Sequence, residues 1–545
     1  MKAHLLHRTR DIDWKWVLQA TARRDAARTG RRHYRNQEFD PRAGLPWNAD
    51  ALTADLSLST LFAAMARDDD CVFEVARKVI LTSVDADVET IRYRQDILRD
   101  CLAEPAVVRE LYGVAVAAIQ KQKGGFLGGL ARYPDWVLRD ALETMGTLLE
   151  YMRSLRRVAD LHADRFSSEG WTNLFATLRR ELSEEYCALV QEHLEELKFR
   201  HGELLSAELG KANKGSGYRL HRPPRRKAGW WSWWTDLFEE KPPVFAFELH
   251  PRDEAGAQAL AALRNRGIAL AANSLGQAAD HVRDFFGMLR VELAFYVGCI
   301  NLHEELVRKG QPTCMPVVAE AGERRLRFRG LYDPGLALTV DRRVVGNDAD
   351  ADGKCLVVIT GPNTGGKSTF LRSLGLAQLM MQSGLFVPAE SFHGSVCRGI
   401  FTHYKREEDV RMESGKFDEE LSRMSEIVDH VAPQSMVLFN ESFAATNERE
   451  GSEIARQIVS ALLEAGVRAF YVTHMYELAH GFYERNRGQY LFLRAGRRED
   501  GTRTFRMIEG EPLATSFGGD LYRQVFGAEP GQPGAEGSGR HAMAT

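Results

Sequence analysis

The chain has 545 residues, 44% of them hydrophobic and 27% charged, with a formal net charge of −3. That composition belongs to a soluble globular protein of roughly two to four domains, and overall charge does not point to nucleic acid, so any basic surface must be local. The seven cysteines form no Cys-x-x-Cys pair and no cluster with histidine, which reads as reduced thiols in a cytoplasmic protein rather than a disulfide framework or a zinc site.

Residues 1–50 are a basic extension, with Arg23, Arg24, Arg28, Arg31, Arg32 and Arg35 in one short stretch. Two readings stay open: an arm that contacts nucleic acid, or a solvated, partly helical extension. The N-terminus lacks the apolar stretch of a secretory signal, and no run along the chain reads as long enough to span a bilayer. From Ala51 to about Phe199 the pattern is helical. Leu174, Leu178, Leu182, Tyr186, Val190, Leu194 and Leu197 recur every three or four residues, which predicts one apolar stripe on a long helix. Residues 200–252 interrupt it with Pro223-Pro224, Pro242-Pro243 and a strand-like Val244–Phe247. Helical periodicity resumes near Asp253 and runs to about Val307. Residues 51–320 are therefore expected to form a helical domain with an insertion at its tip. Residues 321–527 alternate strands and helices, as in an α/β nucleotide-binding domain. Residues 528–545 are expected to be a disordered tail.

The strongest local pattern is Gly361-Pro362-Asn363-Thr364-Gly365-Gly366-Lys367-Ser368. An apolar run, Leu356–Ile359, precedes it, and a helix-like run through Leu371, Leu374 and Met381 comes after it. Strand, Gly-rich turn and Lys-Ser at a helix start make a phosphate cradle: the glycines let backbone N–H groups curl around phosphate oxygens, and the helix start adds partial positive charge. Lys367 is then placed to reach the β- and γ-phosphates of a nucleoside triphosphate, and Ser368 to ligate Mg²⁺. A second apolar run, Met436–Phe439, ends in Asn440-Glu441. P-loop ATPases place there an acidic residue that orients the Mg²⁺ water shell and a glutamate that polarises the attacking water. A third, Ala469–Val472, ends in Thr473-His474, a position suited to a γ-phosphate sensor or to a packed histidine.

Thr360–Thr369 resembles the Walker A segment of the MutS DNA mismatch repair family, whose Pro-Asn pair sets it apart from most P-loop proteins. Gly384–Ala389 resembles the family's Gly-x-x-Val-Pro-Ala, Ile400–His403 its Ile-Phe-Thr-Arg, and Ser516-Phe517-Gly518 its Ser-Tyr-Gly. Val345–Asp348 resembles the segment beside the adenine. Ser414–Glu420, with altered spacing, resembles the segment that contacts nucleotide across the dimer. Asp87–Gln95 resembles the Arg-Gln segment of the family's helical core. The resemblance implies an α-helical core or lever domain, with a clamp-like insertion at about 200–252, followed by an α/β P-loop ATPase domain of ABC type that uses ATP and Mg²⁺. It assigns nucleotide contacts to Gly361, Pro362, Asn363, Thr364, Gly365, Gly366, Lys367, Ser368 and Thr369, with Ser414 acting in trans in a homodimer. It gives Lys367, Glu441 and His474 catalytic roles and places Ser368 and Asn440 toward Mg²⁺. It also brings mismatch repair, mismatched-DNA binding and ATP-dependent DNA damage sensing as expectations, with DNA and repair proteins as partners and no membrane.

Two departures stand out. Asn440 occupies the position where the family has Asp, which removes a negative charge near Mg²⁺ and predicts slow turnover. Only residues 1–50 precede the helical region, so the mismatch-reading domain is expected to be missing, and with it selective recognition of a single mismatch. In the insertion, Arg222, Arg225, Arg226 and Lys227 run toward Trp230 and Trp231, a mixture suited to phosphate contact and base stacking or to a loop packed by its tryptophans. The leading expectation is an ATP-dependent DNA-binding clamp. The alternative is a nucleotide-gated dimeric scaffold with slow hydrolysis and a protein partner. An ABC transport ATPase fits poorly with the Pro-Asn loop and the helical region.

Overall fold

The computed structural model describes residues 2–10, 13–29, 40, 43–121, 133–200, 202–211, 214–222, 246, 248–406, 415–486 and 488–514. Ser414, Arg225, Arg226, Lys227, Trp230, Trp231, Ser516–Gly518, the tail and most of Val244–Phe247 lie outside the described residues.

Helices come first: α1 (Trp14–Thr29), α2 (Ala49–Asp55), α3 (Leu58–Ala66), α4 (Asp70–Leu81), α5 (Val88–Ala103), α6 (Pro105–Gln120), α7 (Pro134–His162), α8 (Glu169–Glu181) and α9 (Glu184–Leu197). A hairpin of β1 (Leu204–Leu209) and β2 (Gly215–His221) is next, and then α10 (Glu254–Arg308). The rest is mixed: β3 (Val317–Ala319), β4 (Leu326–Leu331), α11 (Pro334–Thr339), β5 (Asn347–Asp350), β6 (Leu356–Thr360), α12 (Lys367–Ser383), β7 (Ser391–Ser395) and β8 (Ile400–Tyr404). It continues with α13 (Lys416–His430), β9 (Met436–Asn440), α14 (Glu448–Glu464), β10 (Arg468–Val472), α15 (Tyr476–Glu484), β11 (Tyr490–Arg497) and β12 (Arg503–Glu509). An almost wholly helical region followed by a P-loop α/β region is the architecture the sequence predicts. The chain folds into two compact units, Met1–Ala22 with Arg99–Val297 and Arg23–Leu98 with Gly298–Thr545.

In the first unit, Met145 and Leu149 of α7 pack with Cys187 and Leu194 of α9 and with Leu275 and Val282 of α10. The expected single helix through Leu174–Leu197 is in fact two, α8 and α9. Ser183 is the cause. Its backbone is extended, and its hydroxyl accepts the Tyr186 N–H, capping α9 as serine does at helix starts. Part of the start of the chain is packed into the first unit, while Arg8, Thr9 and Arg10 are exposed. Leu5 and Leu6 are fully buried, their N–H groups donate to the Glu292 carboxylate at 2.8 and 2.6 Å, and the Tyr296 hydroxyl donates to the Leu5 carbonyl.

The 55-residue α10 corrects one expectation. It contains an 18-residue window of mean hydropathy 1.4, long and apolar enough to cross a bilayer, but that window is wholly buried inside the protein. A helix apolar on all sides can be a core helix as well as a membrane span.

In the second unit a six-stranded sheet runs β12-β11-β6-β10-β9-β8. Five strands are parallel, and β12 returns antiparallel on β11. Val437, Phe439, Ala469 and Tyr471 on the strands pack with Met424 of α13, Val459 of α14 and Phe482 of α15. The strand register sets where a site can form: Val472 stands opposite both Ile359 and Asn440. The carboxyl ends of β6, β9 and β10 are therefore level, and in open α/β sheets ligands bind along that edge. A four-stranded sheet, β3-β7-β4-β5, belongs to the same unit. The P-loop helix α12 is held closely: a Cβ on Gly375 would lie 2.7 Å from Leu438 and 2.8 Å from Leu56. Arg94 and Gln95 are buried and donate to the carbonyls of Ser383 and Pro316, so they brace the end of this helix and the strand leading into β3.

Candidate nucleotide site

The Gly-rich turn connects β6 to α12. Gly361 and Gly366 have φ of +115° and +87°, and Thr364 is also left-handed at 58°, a region glycine enters without steric cost. A Cβ on Gly365 would come 2.8 Å from Ala495, so the loop also needs glycine for clearance. Lys367 is buried, and its ammonium donates to the carbonyls of Gly361 and Pro362 at 3.0 and 3.1 Å. Burial lowers its pKa, the nearby Glu441 carboxylate opposes that shift, and Arg503 adds to it. A partly desolvated ammonium at the mouth of a loop of N–H groups is an anion site.

The level strand ends bring the remaining predicted residues together. The Ser368 hydroxyl donates to Asn440 Oδ1 at 2.9 Å. His474 Nδ1 stands 3.9 Å from Glu441 Oε1. The Glu441 carboxyl is held below its ordinary range chiefly by His474, against burial and with help from Lys367 and Lys405. Glu441 is thus a carboxylate at neutral pH. A hydroxyl, an amide oxygen and a carboxylate beside a phosphate cradle are hard oxygen donors, the set that fits Mg²⁺ shared with phosphates. Among the described residues no group of three His, Cys, Asp or Glu side chains forms a metal site of its own, so the phosphates and water would supply the other ligands.

The loop opens into a cavity of about 560 Å³ lined by residues 363–370, Glu441, Tyr332, Val344, Val345, Asn347 and Phe505. Phe505 is a lining residue that the sequence does not announce. It lies on β12 with a left-handed φ of 57°, and its ring would meet a Cβ on Gly366 at 3.5 Å. Asn347 fixes it there, donating to the Phe505 carbonyl and accepting the Met507 N–H. Phe505 and Val345 add apolar surface fit for a flat base to a cavity whose polar lining includes Lys367. Of the insertion residues, Arg222 is described, and its guanidinium is held by Glu192 and Glu196 of α9.

Residues 86–309 match the MutS2 N-terminal domain, and residues 357–525 match MutS domain V. The chain is homologous to the MutS/MutS2 ATPase family. It is 33% identical over 161 residues to the DNA mismatch repair protein MutS of Chloroflexus aurantiacus, covering 29% of this chain and 17% of that protein. It is 33% identical over 238 residues to the Endonuclease MutS2 of Lacticaseibacillus paracasei, covering 41% of this chain and 29% of that protein. The match to human MutS protein homolog 4 is 31% over 143 residues, 26% of this chain and 15% of that protein. The aligned parts thus span 15–29% of these relatives. Domain V homology supports an ATP-hydrolysing P-loop domain, and general use of ATP and Mg²⁺ accords with it. It also corrects an expectation. The helical half of the chain matches the N-terminal domain of MutS2, and neither matched segment is a mismatch-recognition domain. Mismatch repair, mismatched-DNA binding and the damage-sensing role attached to them are not carried over.

Proposed function

We propose that this MutS-like ATPase is a cytoplasmic, nucleotide-gated clamp that binds DNA as a homodimer and hydrolyses ATP slowly. The observation that supports the reading most is the convergence of Lys367, Ser368, Asn440, Glu441 and His474 on one edge of one sheet. In this reading Lys367 holds the β- and γ-phosphates. Ser368 and Asn440 face Mg²⁺, which when bound neutralises phosphate charge. Glu441, already ionised, takes the proton from the attacking water. His474 orients that carboxylate and senses the γ-phosphate. Ser414 of a second copy completes the site, so ATP favours the closed dimer.

Asn440 sets the rate. Its oxygen accepts from Ser368, as an aspartate would, but it contributes no charge to a Mg²⁺ shell. Asn440→Asp should therefore raise turnover or Mg²⁺ affinity, read from steady-state hydrolysis across a Mg²⁺ titration. Unchanged values in both would separate Asn440 from the metal.

The test of DNA binding is fluorescence anisotropy with homoduplex, branched and single-stranded DNA, with and without ATP, across a salt series. Each lost phosphate contact should flatten the log–log salt slope by about 0.7–0.9. Replacing Arg222, Arg225, Arg226 and Lys227 together by Ala should weaken binding and flatten the slope while leaving ATP affinity intact. An unchanged slope would remove the insertion from the interface. The scaffold reading, with a protein partner instead of DNA, draws support from the Glu192 and Glu196 carboxylates that already neutralise Arg222. It gains if no DNA in the panel binds.

A further inference from the structure

The segment after Glu441 is unusually constrained. Glu441 and Phe443 both have left-handed backbones, φ of 54° and 62°, a conformation that non-glycine residues keep only where their surroundings impose it. Here the surroundings do. The Glu441 N–H donates to the Val472 carbonyl at 2.9 Å. The Ser442 carbonyl accepts from the Tyr471 hydroxyl at 2.7 Å. The Phe443 N–H donates to the Glu420 carboxylate at 2.7 Å. The fully buried Ser442 hydroxyl lies 2.7 Å from His403 Nδ1, and the rings of His403 and Phe443 stack at 5.1 Å.

The hydrogen bonds around His403 fix its state. Its Nε2 faces the Glu420 carbonyl at 2.9 Å, which can only accept, so Nε2 carries the proton. The Ser442 hydroxyl, with one proton to give, sits between two acceptors of the same residue, the His403 carbonyl at 2.5 Å and Nδ1 of the neutral ring at 2.7 Å. Burial agrees, pulling the His403 pKa down to about 4. Glu420 therefore grips the loop twice: its carboxylate takes the Phe443 N–H, and its carbonyl orients the histidine that holds Ser442.

Resting on the ATPase reading above, we infer that Glu420 of α13, together with His403 and Tyr471, is a positioning set that holds Glu441 and Phe443 in their left-handed conformations and so aims the Glu441 carboxylate at the attacking water. None of the three is a catalytic residue: each acts on the loop, and the loop carries the base. The consequence is a split in kinetics. Moving Glu441 by a fraction of its length should slow the proton transfer but leave the cradle at 361–369 intact, because among the described residues Lys367 and the Gly-rich turn share no hydrogen bond with this network. It also makes α13 the element whose tilt would tune hydrolysis.

The experiment uses the full chain and measures steady-state hydrolysis, ATP affinity by calorimetry, and crystal structures. Glu420→Ala should lower kcat by about 10- to 100-fold, the usual effect of a misplaced catalytic group, with ATP affinity unchanged. Glu420→Gln should restore kcat, because its amide oxygen can still accept from Phe443. Tyr471→Phe keeps the buried ring, loses only the bond to Ser442, and should give a smaller loss in kcat alone. It decides the matter if Glu420→Ala does not fold. Parental kcat in Tyr471→Phe and in any folded Glu420→Ala overturns the inference, as does an equal fall in affinity and kcat. If the parent hydrolyses no ATP, or hydrolysis survives Glu441→Gln, the ATPase reading fails instead. The positioning claim is then judged by the variant structures, where Glu441 and Phe443 keeping their left-handed angles would refute it.

Discussion

Lys367→Ala should cost the protein most of its affinity for ATP. The lost charge-assisted contacts to phosphate are worth about 1.5–3 kcal/mol, a weakening of about 10- to 150-fold by calorimetry. The same residue gives the binding a pH dependence. Burial depresses the Lys367 pKa from its ordinary 10.5, so on raising the pH the ammonium loses its proton earlier than a free lysine would. ATP affinity should be full at neutral pH and begin to fall on the alkaline side before pH 10.5. Bound phosphate favours the charged form and moves that fall upward in the complex. Parent-like affinity in Lys367→Ala would take this residue out of the phosphate site.

The second large effect is at Glu441. Glu441→Gln keeps the shape of the side chain but removes the base, and general-base catalysis contributes about 10²–10⁴ in rate. Turnover should fall by that factor while ATP still binds. The trapped ATP state should favour the dimer in light scattering, against a lower mass without nucleotide. A monomer under both conditions would contradict a site completed by a second copy. The acid limb of the parent's pH–rate profile should also lie low. His474 and the lysines hold the Glu441 pKa below its ordinary 4.5, so the reactive carboxylate persists on acidification until that lowered value is crossed. A variant hydrolysing as fast as the parent would show that Glu441 is not the base.

Much of this site is legible in the sequence because its parts are contiguous motifs at the ends of apolar runs. Gly361–Ser368, Asn440-Glu441 and Thr473-His474 each come directly after a recognisable strand, and parallel register brings them level. Phe505 is not legible in that way. It carries no motif, it reaches the cavity only because β12 folds back antiparallel, and its anchor Asn347 is 158 positions away. His403 and Glu420 do stand at the ends of two recognisable motifs, but their grip on the 442–443 backbone is not legible, since it depends on how α13 packs beside β8 and β9. The break between α8 and α9 turns on a single serine inside an uninterrupted leucine repeat. The apolar stretch of α10 escapes notice because polar residues punctuate it often enough to hide a window that is nonetheless apolar on average.

The packing of the first residues has a practical consequence for handling the protein. Leu5 and Leu6 fill the first unit's interior, and their amides serve a carboxylate, Glu292, that is 1% exposed. Deleting residues 2–6 would withdraw two donors from a buried carboxyl group, a change of the kind that destabilises by about 1–3 kcal/mol. It would also vacate the space of two leucines. Shortened versions that begin at the first helix should melt lower than the whole chain by differential scanning calorimetry. Affinity tags are better kept off residues 2–6, which form part of the interior.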